Sequence, residues 1–246
     1  MVNGFWKLKD YKDFANSIPS DIIAYKLIYN LLNIKNKRIL DFGCFQGKSS
    51  YNLLVNGSSY VLGIDNFKSN IETARKNYQK FNSKLDFIFV SNKSKINTKK
   101  FDAISMTFVH PTISNIKELD FQFNKLSKVL KKDCKIIILG LHPNSFNSKY
   151  NFLFYNHKIE KLKDSQVFNN EIKINNKIIK FKDYYWSTET LTNLLEKNNL
   201  KLEKVISLDN NLKENVGKLL RKEISKSNWK DEWKAPLYQI IIAKKN

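Results

Sequence analysis

The chain has 246 residues, with 43 lysines and arginines against 23 acidic residues and a formal net charge of +20. A hydrophobic content of 42% with 13% aromatics excludes a disordered polyelectrolyte, and no apolar run approaches the ~18 residues that cross a bilayer as a helix. Two cysteines, Cys44 and Cys134, each inside an apparent buried segment, argue against a disulfide framework or a metal site.

The N-terminal M-V-N-G-F-W-K-L-K-D has no apolar signal core, which points to a cytoplasmic protein with no membrane partner. The positive charge raises nucleic acid as a partner. It does so weakly, because the only arginines are Arg38, Arg75 and Arg221 and the lysines are spread along the whole chain.

In chain order, residues 1–36 read as helical, with Ile22, Ile23, Leu27, Ile28, Leu31 and Leu32 on a wide apolar face behind Ser20 as a cap. Trp6, Tyr11 and Phe14 precede that face. Arg38–Phe42 reads as a buried strand, Gly43–Gly47 as a tight turn and Lys48 onward as a helix. Such a unit brings backbone N–H groups and a helix N-terminus up to a polar ligand, with glycines where a Cβ would block the approach.

Three ligand classes use a loop of this kind. A dinucleotide fingerprint fails, because the second and third glycine positions after Gly43 hold Phe45 and Lys48. A phosphate loop fails by one residue, since only Cys44, Phe45 and Gln46 separate Gly43 from Gly47-Lys48-Ser49. The run Leu40-Asp41-Phe42-Gly43-Cys44-x-x-Gly47-x-Ser49 resembles instead the first motif of class I S-adenosylmethionine (SAM) dependent methyltransferases, an acidic residue followed by G-x-G-x-G. Phe45 departs from that pattern at the middle glycine. The resemblance implies that Asp41, Gly43, Cys44, Phe45 and Gly47 surround the cofactor, with S-adenosylhomocysteine (SAH) as product, and that Tyr11 belongs to an N-terminal helical lid over residues 1–36.

A second buried strand, Ser59–Asp65, ends in an acid about twenty residues beyond the loop, where a carboxylate meets the ribose hydroxyls. The resemblance gives Asp65 that role and counts Asn66 among the cofactor-binding residues. Ser69 with Glu72 reads as a capping box for the next helix. The third strand, Leu85–Val90, leads to Ser91 and Asn92, where related enzymes often carry an acid for the adenine edge; both side chains here still hydrogen-bond. Phe101–Val109 is the fourth strand, and its exit, Phe108-Val109-His110-Pro111, lacks the motif of amino methyltransferases. A helix over 116–130, a turn at Lys131–Asp133 and a fifth strand over Cys134–Leu141 follow.

The resemblance implies that residues 142–186 are a substrate-covering insertion. Glu171–Ile174 and Lys177–Phe181 alternate polar and apolar around Asn175-Asn176, the pattern of a β-hairpin. Tyr184, Tyr185 and Trp186 then form an aromatic group suited to a substrate pocket, and Ser187 caps a helix over 189–198. A sixth strand over 201–208, a basic helix over 212–225 and a final strand over 237–243 complete the chain.

The expected architecture is thus a single α/β domain over 1–246. It has a Rossmann-like seven-stranded, mostly parallel sheet with an antiparallel last strand, and helices on both faces. The SAM sulfonium is already an activated donor, so the protein has mainly to align a nucleophile and exclude water. A base helps where the acceptor carries a proton. His110 and His142, each just past a strand, are the candidates, and His157 lies in the insertion. The resulting expectation is methyl transfer to O, N or C of a small molecule. An RNA methyltransferase, or a non-catalytic binding protein on the same fold, is the alternative.

Overall fold

The computed structural model describes residues 19–91, 94–96, 99–147, 153–155, 161–174, 177–209 and 236–246. Tyr11, Asn92, His157 and the predicted helix over 212–225 lie outside them. Helix α1 (Pro19–Leu32) opens on a proline, whose fixed φ suits a first helical turn, so Ser20 lies inside the helix and not at its cap. β1 (Arg38–Phe42) is buried from its second residue onward, and α2 (Lys48–Val55) follows the glycine turn. Then come β2 (Tyr60–Asp65), α3 (Lys68–Tyr78), β3 (Leu85–Phe89) and β4 (Phe101–Thr107). α4 (Ile116–Val129) is capped by the Asn115 side chain, which accepts from the Glu118 N–H at 2.8 Å.

The capping box expected at Ser69–Glu72 does not form. α3 starts two residues earlier, with Phe67 at its cap, because Asp65 Oδ1 accepts the Phe67 N–H at 2.9 Å and turns the chain into the helix before Ser69 is reached. Glu72 lies instead 4.0 Å from Lys68, one turn back.

β5 (Leu130–Leu141) is longer than the sequence suggested. Leu130 pairs with Phe101 while Lys135 pairs with Ala103, so the stretch expected as a turn is an irregular bulge within the ladder, with Asp133 at φ 62°. β6 (Leu153–Tyr155), β7 (Val167–Ile174) and β8 (Lys177–Tyr184) form a separate antiparallel sheet that contains the expected hairpin. α5 (Thr188–Lys197), capped by Ser187, β9 (Leu200–Ser207) and β10 (Tyr238–Lys245) close the chain.

The main sheet runs in the order β3-β2-β1-β4-β5-β10-β9. β10 is antiparallel to both its neighbours, and β1 pairs parallel with β2 and β4. α1, α2 and α3 pack on one face through Ala24, Leu27, Ile28, Leu53, Ile71 and Ala74. α4 and α5 pack on the other through Leu119, Phe123, Leu126, Leu191 and Leu195. The winding reverses between β1 and β4, so the turn after β1 opens onto the crevice at the carboxyl edge, where open α/β sheets bind ligands.

Candidate functional site

The turn after β1 is shaped by close approach. Gly43 sits at φ +76°, its N–H donates to the Ile64 carbonyl at 2.8 Å, and a Cβ there would stand 2.2 Å from Val109 Cγ2. Gly47 sits at φ +88°, and a Cβ would meet the Phe87 ring at 2.6 Å. Both positions therefore need glycine for space and for backbone. Phe45 also takes a left-handed conformation, φ 51°. The middle position of the motif thus keeps the backbone that glycine adopts freely, at a cost of about 1 kcal/mol for a residue with a Cβ.

Asp41 is buried at 1% exposure directly beneath this turn. Its Oδ2 accepts the Ser49 and Ser50 hydroxyls at 2.5 and 2.6 Å, so the carboxyl pins the start of α2 back onto β1. Burial pushes its pKa up to about 6 against the pull of those two hydroxyls. Cys44 is buried too, and its thiol is held well above the ordinary range, chiefly by burial.

Asp65 ends β2 at the same edge, half-buried. Its Oδ2 accepts the Phe45 N–H at 3.0 Å, while Oδ1 accepts from the Phe67 N–H and from Asn70 Nδ2 at 2.9 and 3.1 Å. Burial raises its pKa despite these donors. Twenty residues of sequence separation thereby become one hydrogen bond between the glycine turn and the second strand's carboxylate. Asn66 is exposed beside it. Ser91 follows β3, its hydroxyl 2.6 Å from that of Ser94. A cavity of about 180 Å³, lined mainly by Leu62, Ile64, Ile88, Phe89, Val90 and Ile96, adjoins that segment.

The two histidines differ. His110 opens a 3₁₀ turn after β4 and is buried at 4% exposure. Its ring occupies the space that a Cβ on Gly140 would fill, 2.0 Å from Cε1, and its Nδ1 has no hydrogen-bond partner. Burial lowers its pKa to about 3, so the ring is neutral. His142, just past β5, is half-buried, and its Nδ1 accepts the Asn144 N–H at 3.1 Å. Its pKa is lowered by burial, which the charge of Asp209 opposes. The hydrogen bond to Nδ1 places the proton of the neutral ring on Nε2.

The β6-β7-β8 sheet roofs this edge. β8 packs on the turn His110–Thr112, Phe181 joins the cluster of Phe108, Leu141, Leu237 and Tyr238, and Phe168 and Tyr185 pack with Leu141 and Leu162. The aromatic group at the roof's end is divided. Tyr184 is half-exposed and Tyr185 is buried under the roof, whereas Trp186 crosses into the core between the main sheet and α4/α5, its indole N–H donating to the Ile113 carbonyl at 2.9 Å. Trp186 is thus placed away from the aromatic pocket lining expected of it, because three consecutive residues at a strand exit cannot share one face.

Sequence reading missed two residues of the roof. Asn170 and Asp183 are both buried, at 0% and 6% exposure, and Asn170 Nδ2 donates to Asp183 Oδ2 at 2.8 Å. Burial pushes Asp183 up to about 7, against the Asn170 hydrogen bond. The signal was partial: residues 168 and 170 on β7, 181 and 183 on β8 and 185 just past it share one face by alternation, but Asn170 and Asp183 fall outside the strand bounds suggested by sequence, 171–174 and 177–181.

A family model described as a methyltransferase domain matches residues 33–234. A ubiquinone biosynthesis O-methyltransferase from Pelagibacter ubique (strain HTCC1062) is 34% identical over 109 residues, 44% of this chain and 44% of that protein. The match thus spans less than half the length of that relative. Among solved structures, the PH0226 protein from Pyrococcus horikoshii OT3 superposes with a TM-score of 0.63 at 15% identity, covering 97% of this chain and 93% of the other. An S-adenosylmethionine-dependent methyltransferase from Mesorhizobium loti gives 0.61 at 14% identity, covering 94% and 99%. Both share the fold.

Proposed function

The chain belongs to the methyltransferase domain family, and on that premise we propose that it transfers the methyl group of SAM to an oxygen of a small-molecule acceptor. The observation that carries this reading is the link between the glycine turn and Asp65. Gly43 and Gly47 clear a cradle that a Cβ would fill, and the Phe45 N–H fixes Asp65 beside it. These residues suit SAM: the turn would follow the methionine portion and Asp65 would accept the ribose hydroxyls. The curated relative's name adds oxygen as the acceptor atom. Nucleic acid is not favoured, and among the described residues no helix is long and apolar enough to cross a membrane.

When bound, SAM supplies an electrophilic methyl group on a positively charged sulfur, and transfer leaves neutral SAH. The chain's own part is alignment and exclusion of water. Asp41 keeps the turn in register with α2 through Ser49 and Ser50. The roof shields the carboxyl edge around Phe108 and Tyr238. Where the acceptor is a hydroxyl, its oxygen takes the methyl group and its proton leaves to bulk solvent, since His142 Nδ1 is already occupied by the Asn144 N–H.

Calorimetric titration with SAM and SAH tests the reading. One-to-one binding to the wild type is expected, with Asp65→Ala weakening it roughly 100-fold, the scale of two charge-assisted hydrogen bonds lost. Unchanged affinity in that variant would remove Asp65 from the site.

A further inference from the structure

The glycine turn leaves its buried polar atoms satisfied, but the underside of the roof does not. Asn170 is fully buried and its Oδ1 has no hydrogen-bond partner among the described residues. Asp183, joined to it, has no cation within ion-pair reach among the described residues, and the only side-chain donor acting on it there is Asn170 itself. A buried carboxyl normally has a cation or several donors around it, and a buried amide oxygen normally has a donor, because each unmet acceptor costs about 1–3 kcal/mol. The pair thus leaves one buried amide oxygen, Asn170 Oδ1, with no donor among the described residues.

Its place in the fold is not arbitrary. Asn170 and Asp183 lie on the same face of the hairpin as Phe168, Phe181 and Tyr185, the residues through which the roof packs on Leu141, Leu237 and Tyr238 at the carboxyl edge. The strand that carries Asp183 also packs on the turn of His110, whose buried Nδ1 likewise has no partner among the described residues. A purely structural pair would be expected to be complete in itself.

We propose that the Asn170–Asp183 pair is the recognition site for a hydroxyl group of the methyl acceptor, the hydroxyl donating its hydrogen bond to Asp183 or to Asn170 Oδ1. The acceptor class is a hydroxyl-bearing small molecule with an apolar body, since Phe168, Phe181 and Tyr185 surround the pair. This rests on the methyl-transfer reading only in naming that molecule the acceptor. The two residues select and hold the substrate and take no part in breaking the sulfur–carbon bond.

The test uses three probes, phenol, anisole and benzylamine, titrated by NMR into the full chain with and without saturating SAH. Wild type, Asp183→Asn and Asn170→Ser are compared, and SAH binding and thermal unfolding are recorded for each. Phenol is expected to bind the wild type and anisole to bind at least ~10-fold more weakly, the scale of one buried hydrogen bond. Both variants should lose that discrimination while keeping wild-type affinity for SAH. Equal binding of phenol and anisole, tighter binding of benzylamine than phenol, no binding of any probe, or variants that lose stability but keep the discrimination would each overturn the proposal. Should Asp183→Asn not fold, Asn170→Ser decides it, because that variant keeps the carboxyl. Failure of SAH to bind the wild type would sink the methyl-transfer reading instead, and the SAH-free titrations would still report on the pair.

Discussion

The glycine turn and the roof both bury a carboxylic acid at the same edge of one sheet, and they treat it in opposite ways. Asp41 has two serine hydroxyls on one oxygen, supplied by the helix it pins down. Asp183 has one amide, which is itself left incomplete. A buried carboxyl surrounded by its own donors is a brace, and its environment is finished before any ligand arrives. One whose amide partner still lacks a donor is finished only by something else. The difference separates what holds the fold from what receives a molecule.

The sharpest way to break the turn is Gly43→Ala. The new Cβ lies 2.2 Å from Val109 Cγ2 on a backbone at φ +76°, and the expected loss is about 2–4 kcal/mol in chemical denaturation, with SAM binding abolished. Gly43→Ala with Val109→Ala should recover part of the stability, since it removes the clash and leaves the backbone strain.

The roof carboxyl shows itself in pH dependence. Asp183 has a folded pKa of about 7 against 3.8 for the free group, so the folded state holds the proton over a range where the unfolded state has released it. Stability from this group is therefore greatest below pH ~4 and falls as pH rises toward 7, by about 4 kcal/mol. Asp183→Asn should flatten that part of the curve. Asp41→Asn should do the same over a narrower window ending near pH 6. His110, neutral when folded, contributes the opposite slope, losing stability as pH falls from 6.5 toward 3. Each comparison is thus made as wild type minus variant.

Smaller effects sharpen the contrast. Phe45→Gly relieves a left-handed backbone worth about 1 kcal/mol but frees the unfolded chain, so stability should change by less than about 1 kcal/mol while the tie to Asp65 persists. Smallest of all, Lys197→Ala breaks the exposed pair with Asp120 and should cost under about 0.5 kcal/mol.

The sequence carried the turn and the second strand's acid because both are set by local rules. Glycine at a positive φ and a carboxylate at a strand end are visible in spacing alone. Bounds that depended on tertiary contact were less legible. The start of α3 moved because Asp65 turned the chain early, and the length of β5 changed because Leu130 found Phe101 across a bulge. The roof was legible as a hairpin, but the inward direction of Asn170 and Asp183 needed the full register of β7 on β8. The division of Tyr185 from Trp186 could not be read from three adjacent aromatics, because it depends on Ile113 offering a carbonyl on the far side of the sheet.

That last contact has a mechanical consequence. The roof leaves through Trp186, whose indole is driven through to the opposite layer, and the next residues are stapled by Asp164 to the Ser187 N–H at 2.6 Å and by Thr188 to Gln239 at 2.9 Å. The downstream foot of the roof is therefore a fixed hinge post. Pulling the roof off the edge at this end would have to break all three of those contacts.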